Sequence, residues 1–216
     1  MERSSTKTLV VGDCLRRVAE APEEFCEVED IPLENLIVIG ASAGGHKALK
    51  AVLRGLSHDI PAALIILQHL AGNDAARPIR FKMEDWLCES SFVPTQVIQS
   101  GDRLQRGRIY VTPPGQVVSL DGRTLRLDPQ QKREIVTTIN TLFQSAAQQY
   151  KERVIGVVLT GLLCDGTAGL RAVHVAGGLT IVQDPAEAEY PDMPANAMRG
   201  LPITFCLRSR DRKSVV

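Results

Sequence analysis

Three short segments of this 216-residue chain each carry a residue type that can take part in acyl transfer. Gly40-Ala41-Ser42-Ala43-Gly44-Gly45-His46 follows an apolar run at 36–39 and offers a hydroxyl among glycines. Gln68-His69 follows a second run at 63–67 and offers an imidazole. Gly161-Leu162-Leu163-Cys164-Asp165-Gly166 follows a third run ending near Thr160 and offers a carboxylate. A hydroxyl nucleophile, an imidazole to take its proton and a carboxylate to orient that imidazole are the inventory of covalent ester or amide hydrolysis. The glycines have their own task. They allow a tight strand-to-helix turn that exposes Ser42, and they leave backbone N–H groups at a helix N-terminus free to stabilise an oxyanion. Gly44 and Gly45 are the candidate donors, and the sequence does not choose between them. Each residue alone has a plainer reading: Ser42 as a helix N-cap, His69 as a structural hydrogen-bonder, Asp165 as a turn residue before glycine. A phosphate cradle is disfavoured, because the turn lacks the G-x-G-x-x-G spacing and an acidic ribose partner at the right distance. Shared placement after three strands is what favours the triad.

The elements that must position these groups are legible as periodicities. The runs at 36–39 and 63–67 are continuously apolar, the pattern of parallel strands buried on both faces. Between them Leu49, Val52, Leu53 and Leu56 recur at helical spacing, with Lys47, Lys50 and Arg54 on the other side. Further strands are predicted at 95–99, 108–112, 154–160, 179–183 and 203–207. Segments 117–120 and 124–127 flank Asp121-Gly122, a two-residue hairpin signal. Ile139, Leu142, Phe143, Ala146 and Tyr150 define a second amphipathic helix, and a third runs over 167–176 to Gly177-Gly178. This order predicts an α/β fold: a doubly wound, mostly parallel sheet with helices on both faces and one inserted antiparallel hairpin. In such sheets ligands sit in the crevice outside the carboxyl ends of the strands, where all three segments converge.

Composition narrows the partners. Lys plus Arg and Asp plus Glu both number 25, so no electrostatic footprint for nucleic acid is expected. The sequence has no apolar run of about 18 residues, so membrane insertion is not expected, and no signal-peptide h-region is recognisable at the N-terminus. Five scattered cysteines read as reduced thiols of a cytoplasmic protein. Residues 1–33 are charged and mixed and are expected to form an arm or packed extension. A single domain is expected over 34–209, with 210–216 a solvated tail.

The same segments resemble the catalytic domain of the CheB methylesterase family. Ile39 to Gly45 is similar to that family's nucleophile turn, Gln68-His69 to its base motif, and Gly107-Arg-Ile-Tyr-Val-Thr-Pro-Pro-Gly115 to its mid-domain stretch. Gly156 to Gly169 resembles the segment bearing its acid, and Gly177-Gly178, Gln183-Asp184-Pro185 and Met193-Pro194 follow in the family's order. The resemblance implies Ser42 as nucleophile, His69 as base and Asp165 as its orienting partner. It implies hydrolysis of glutamyl methyl esters, and deamidation of glutamine, on a methylated chemoreceptor or a similar signalling protein, with no cofactor. One segment departs from the family pattern. Residues 132–140 read Lys-Arg-Glu-Ile-Val-Thr-Thr-Ile-Asn, with the departures at Thr138 and Asn140, and they are expected to bear on substrate identity more than on the reaction. A family receiver domain of roughly 120 residues does not fit in residues 1–33, so control is expected from a separate response regulator or from the arm. The competing reading is a catalytically silent binding module in a signalling complex.

Other chemistry-bearing residues receive plainer assignments. His46 is expected to be a solvated first-turn side chain. His58 and His174 lack ligand spacing, so no metal site is expected. Cys164 is expected to pack, and Trp86 to pack a helix on the sheet. Asp74 and Asp184 are the alternative acids.

Overall fold

The computed structural model describes residues 34–57, 59–69, 92–129 and 137–208. The expected arm and tail, and the assignments for His58, Asp74 and Trp86, lie outside the described residues. Strands β1 (Asn35–Ala41) and β2 (Ala62–Gln68) are buried along almost their whole length, which is why their sequences are apolar without alternation. They join β3 (Thr95–Val97), β4 (Arg108–Val111), β7 (Val154–Val158), β8 (Leu179–Gln183) and β9 (Phe205–Leu207) in a sheet of order β3-β4-β2-β1-β7-β8-β9. Each pairing in it is parallel.

Successive β1 side chains point to opposite faces, and each face has its own core. Ile37 and Ile39 pack with Ala48, Leu49, Val52 and Leu53 of α1 (Gly45–Arg54). Leu36 and Val38 pack with Ile139, Leu142 and Phe143 of α2 (Thr138–Tyr150) and with Leu170 and Val173 of α3 (Thr167–Val175). The predicted doubly wound architecture is therefore present. Beyond β1 the chain goes to β2 on one side, while β7 flanks β1 on the other. The carboxyl ends of β1 and β7 thus frame the switch point where such sheets bind ligands.

Three details differ from expectation. The hairpin of β5 (Gln116–Asp121) and β6 (Thr124–Pro129) forms a separate two-stranded sheet. Its register pairs Asp121 with Thr124, so the turn residues are Gly122 and Arg123, and the glycine takes the positive φ (59°) that a two-residue loop demands at its first position. The hairpin lies on α2, donating from Leu120 N to Ser145 Oγ (3.2 Å) and from Gly122 N to Gln149 Oε1 (3.1 Å). Strand β7 ends at Val158 rather than 160: Leu159 N still donates to Gly40 O of β1 (2.9 Å), but Thr160 N turns to the Gln183 side chain (Oε1, 2.8 Å). A short helix, α4 (Asp192–Met198), was not anticipated; its Met193, Pro194 and Ala197 are buried. No helix among the described residues is long and apolar enough to cross a membrane.

Helices α2 and α3 cross closely at Gly169, where an added Cβ would lie 2.6 Å from Phe143 Cβ and 3.1 Å from the Asn140 Cα. A mid-helix Gly→Ala change gains roughly 0.5–1 kcal/mol from propensity, whereas forced overpacking costs about 1–3 kcal/mol. Gly169→Ala is expected to lower the urea midpoint at unchanged m-value. A raised midpoint would show that α2 can yield.

Candidate active site

Ser42 is the first residue beyond β1, and its placement follows from the sheet. Ala41 pairs with Gln68 at the ends of β1 and β2, so Ser42 and His69 leave neighbouring strands at the same level, where strand spacing is about 4.8 Å. The His69 N–H continues the ladder to Ala41 O at 2.9 Å. Gln68 Nε2 then ties the two exits together, donating to Ser42 O (2.6 Å) and to His69 O (2.9 Å). On the β7 side, Ser42 N donates to Thr160 O at 3.0 Å. Thr160 Oγ1 donates toward Ala43 O (3.1 Å) and accepts from Tyr190 N (2.8 Å). The nucleophile turn is thus held from both neighbouring strands.

The turn closes with Gly45 N donating to Ser42 O at 2.9 Å. Gly44 sits at φ 73°, in the left-handed region that favours glycine. Any side chain at Gly45 would collide with Gln68 Oε1. Ser42 is not the N-cap of α1; Gly44 is. Ser42 and His69 are linked through backbone and through Gln68, not by a hydroxyl–imidazole hydrogen bond among the described residues.

The His69 side chain is 17% exposed and its Nε2 lies 3.3 Å from Asp165 Oδ2. The same nitrogen lies 2.6 Å from Thr138 Oγ1. Asp165, only 3% exposed, accepts three backbone N–H groups: Ile139 at Oδ2 (2.9 Å), and Asn140 (3.0 Å) and Gly166 (2.9 Å) at Oδ1. Ile139 and Asn140 belong to the first turn of α2, whose N-cap Thr137 makes no side-chain capping bond and whose first turn holds no acid. A carboxylate from a distant segment therefore occupies a helix N-terminus, where free N–H groups and the helix dipole favour negative charge. Asn140 returns the arrangement, its Oδ1 accepting Gly166 N (3.1 Å) and Gly169 N (2.7 Å) at the start of α3.

The loop between Gly161 and Asp165 is held tightly. Gly161 N donates to Tyr190 O and Met193 N to Gly161 O, both at 3.0 Å. Leu163 adopts φ 67°, a strained conformation for a bulky residue, and Asn196 Nδ2 donates to its carbonyl at 2.6 Å. The side chains of Leu162 and Leu163 are exposed, and so is Cys164. The expected packing role of Cys164 is thereby corrected: it shares the solvent-facing loop on which Asp165 alone turns inward. Asp184 is engaged elsewhere, accepting Ala186 N at 2.9 Å and facing Arg208 at 3.8 Å. A cavity of about 220 Å³ beside Gly44, lined by Lys47, Thr160, Gln183, Glu187 and Glu189, excludes Ser42, His69 and Asp165.

Comparison with known proteins decides the family. The CheB methylesterase family pattern matches residues 37–211. The chain belongs to the CheB methylesterase family. A similar relative is the protein-glutamate methylesterase/protein-glutamine glutaminase 2 of Anaeromyxobacter dehalogenans, 40% identical over 167 residues that cover 77% of this chain and 46% of the relative. The chain thus spans about half the length of that relative. A putative protein-glutamate methylesterase/protein-glutamine glutaminase of Leptospira interrogans is 30% identical, covering 79% of this chain and 87% of that one. The crystal structure of the Thermotoga maritima CheB methylesterase catalytic domain superposes with a TM-score of 0.70 at 23% identity, over 81% of this chain and 93% of that one. That likeness concerns the fold, which is the one predicted from the sequence.

Sequence reasoning proposed Ser42, His69 and Asp165; the structure brings His69 and Asp165 together, and the contacts of Gln68, Thr138, Asn140 and Thr160 around them were not anticipated. A local signal existed for two of them: Thr-Thr-x-Asn at the start of an apolar periodicity is a helix-start composition. Removing the Asn140 acceptor leaves the Gly169 N–H short of its partner, while Gly166 N keeps Asp165 Oδ1; one stranded N–H costs about 1–3 kcal/mol in a buried setting. Asn140→Leu is expected to destabilise the protein by that amount in urea unfolding, whereas Asn140→Asp, which keeps the acceptor, is expected to lose less. Equal losses would assign the effect to packing.

Proposed function

We propose that this chain is a serine hydrolase that removes methyl esters from glutamate side chains of a protein, and that deamidates glutamine side chains by the same route. Family membership supports the reaction class, and the names of the relatives support the two substrates. The observation that carries the reading is His69, which leaves β2 level with Ser42 and has Asp165 Oδ2 at 3.3 Å from Nε2. With Nε2 facing the acid, Nδ1 is the nitrogen that remains for Ser42.

The chemistry then balances as acyl transfer. Ser42 Oγ attacks the ester carbonyl while Nδ1 takes its proton, and the imidazolium keeps Nε2–H toward Asp165. Collapse of the tetrahedral intermediate expels methanol with the proton from Nδ1, and ammonia leaves instead when the substrate is glutamine. Water, deprotonated by Nδ1, releases glutamate and restores Ser42. For the oxyanion, engagement of the Gly45 N–H by Ser42 O favours Gly44 as donor. A methylated chemoreceptor or similar signalling protein in the cytoplasm is the proposed substrate, with a separate response regulator as the proposed source of control. No cofactor enters this scheme.

Labelling with a fluorophosphonate followed by mass spectrometry is expected to give one adduct, on Ser42. No adduct together with tight receptor binding would favour the silent binding module. On a glutamyl methyl ester peptide, Ser42→Ala is expected to abolish turnover, and Asp165→Asn to lower kcat by about 10³–10⁴-fold. Asp184→Asn is expected to retain it. Full turnover in Asp165→Asn would move the acid elsewhere.

A further inference from the structure

The His69 nitrogen that faces Asp165 is closer to a hydroxyl than to the carboxylate. Thr138 Oγ1 lies 2.6 Å from Nε2, against 3.3 Å for Asp165 Oδ2. N–H···O bonds fall mostly at 2.7–3.2 Å, so the carboxylate alone would hold this ring through a long contact. The hydroxyl is fixed where it stands. Thr138 is 2% exposed, begins α2, and has a β-branched side chain with few rotamers. The next two backbone N–H groups, of Ile139 and Asn140, are bound to the same carboxylate that the ring faces. Capping does not explain the side chain, because the N-cap is Thr137 and helix N-capping is met by Asp165.

We propose that Thr138 is a positioning residue of the hydrolytic reaction, its hydroxyl sharing the imidazole Nε2–H with Asp165 and so fixing both the tautomer and the plane of the His69 ring. This rests on the reading of Ser42, His69 and Asp165 as the hydrolytic set. A threonine hydroxyl can donate or accept. If it donated to Nε2, the neutral ring would carry its proton on Nδ1 and could not receive one from Ser42. In the productive state Thr138 therefore accepts, and the ring proton stays on Nε2 throughout. When Ser42 Oγ–H breaks and Nδ1–H forms, the new positive charge meets two acceptors already in place. When methanol leaves, the Nδ1 proton departs with it and the Nε2–H contacts are unchanged. Thr138 touches neither substrate nor the attacked carbonyl, so its effect belongs in kcat.

The test uses the full chain and a glutamyl methyl ester peptide. Thr138→Val removes the hydroxyl at nearly constant volume; it is expected to lower kcat about 10–100-fold, the range for one hydrogen bond to a charged group, with KM changed less than about twofold. Thr138→Ser restores the hydroxyl and is expected to stay within about threefold of the parent. Wild-type kcat in Thr138→Val, or an equal fall in Thr138→Ser, would overturn the proposal. A second readout needs no variant: the ¹⁵N shifts of the neutral His69 ring are expected to show Nε2–H and bare Nδ1, and the opposite tautomer would also overturn it. Ser42→Ala separates the two layers. Loss of activity there, with wild-type Thr138→Val, rejects the Thr138 role alone, while an active Ser42→Ala rejects the underlying site.

Discussion

A carboxylate buried at 3% exposure is the interaction on which this architecture turns. Removing an ionised carboxyl from water is prohibitive unless its lone pairs find donors, and Asp165 finds three backbone N–H groups and an imidazole. Two of those donors are the otherwise open N–H groups of α2. The bargain is mutual, since Asn140 at the start of α2 caps the start of α3 through Gly166 and Gly169. Two helix N-termini are thus satisfied by each other's flanking side chains, which is the logic of a capping box carried across two helices. Shifting either helix would strand at least two polar groups in a dry place.

The sheet supplies the complementary constraint. Parallel register sets Ser42 and His69 at one level, but register alone leaves strand-end loops free to diverge. Gln68 prevents that on the β2 side and Thr160 on the β7 side, each bonding the backbone of the nucleophile turn. Beyond the end of β7, Thr160 N is held by the buried Gln183 side chain instead of by a neighbouring strand. Backbone geometry and side-chain orientation therefore come from different sources: the β1–β2 register sets the level, and the α2–α3 cap sets the face that His69 meets.

Signals that live within one element were readable from the sequence. The unbroken apolar runs of β1 and β2, the helical spacing of Ile139, Leu142, Phe143 and Ala146, and the glycines around Ser42 each report local conformation. The hairpin was found but shifted by a residue, because Asp-Gly marks a turn without stating whether the aspartate pairs; here Asp121 pairs with Thr124. Helix α4 was missed because seven residues with Pro194 near the start carry too few turns for a period. Thr138 and Asn140 were noticed only as departures from a family pattern. Their partners lie 69 residues away for Thr138 and 26 and 29 away for Asn140, a range at which composition and periodicity carry no information.

That distance also changes what the 137–140 segment means. Read along the chain, it precedes an amphipathic helix and departs from the family pattern, which suggests a bearing on substrate identity. In space its two backbone N–H groups hold the acid, its threonine meets the imidazole and its asparagine fixes the helix that follows the acid. None of these groups is available to a substrate while so engaged. Residues that do face solvent beside Asp165 are Leu162, Leu163 and Cys164, and Leu163 is held at positive φ, a strain on the order of 1–3 kcal/mol. The compensation is local. Asn196 bonds the Leu163 carbonyl, and two residues later Asp165 is locked by its three donors. A loop pinned at both ends in this way presents apolar side chains outward on one side and a charge inward on the other, so change on its outer surface can proceed without disturbing the acid.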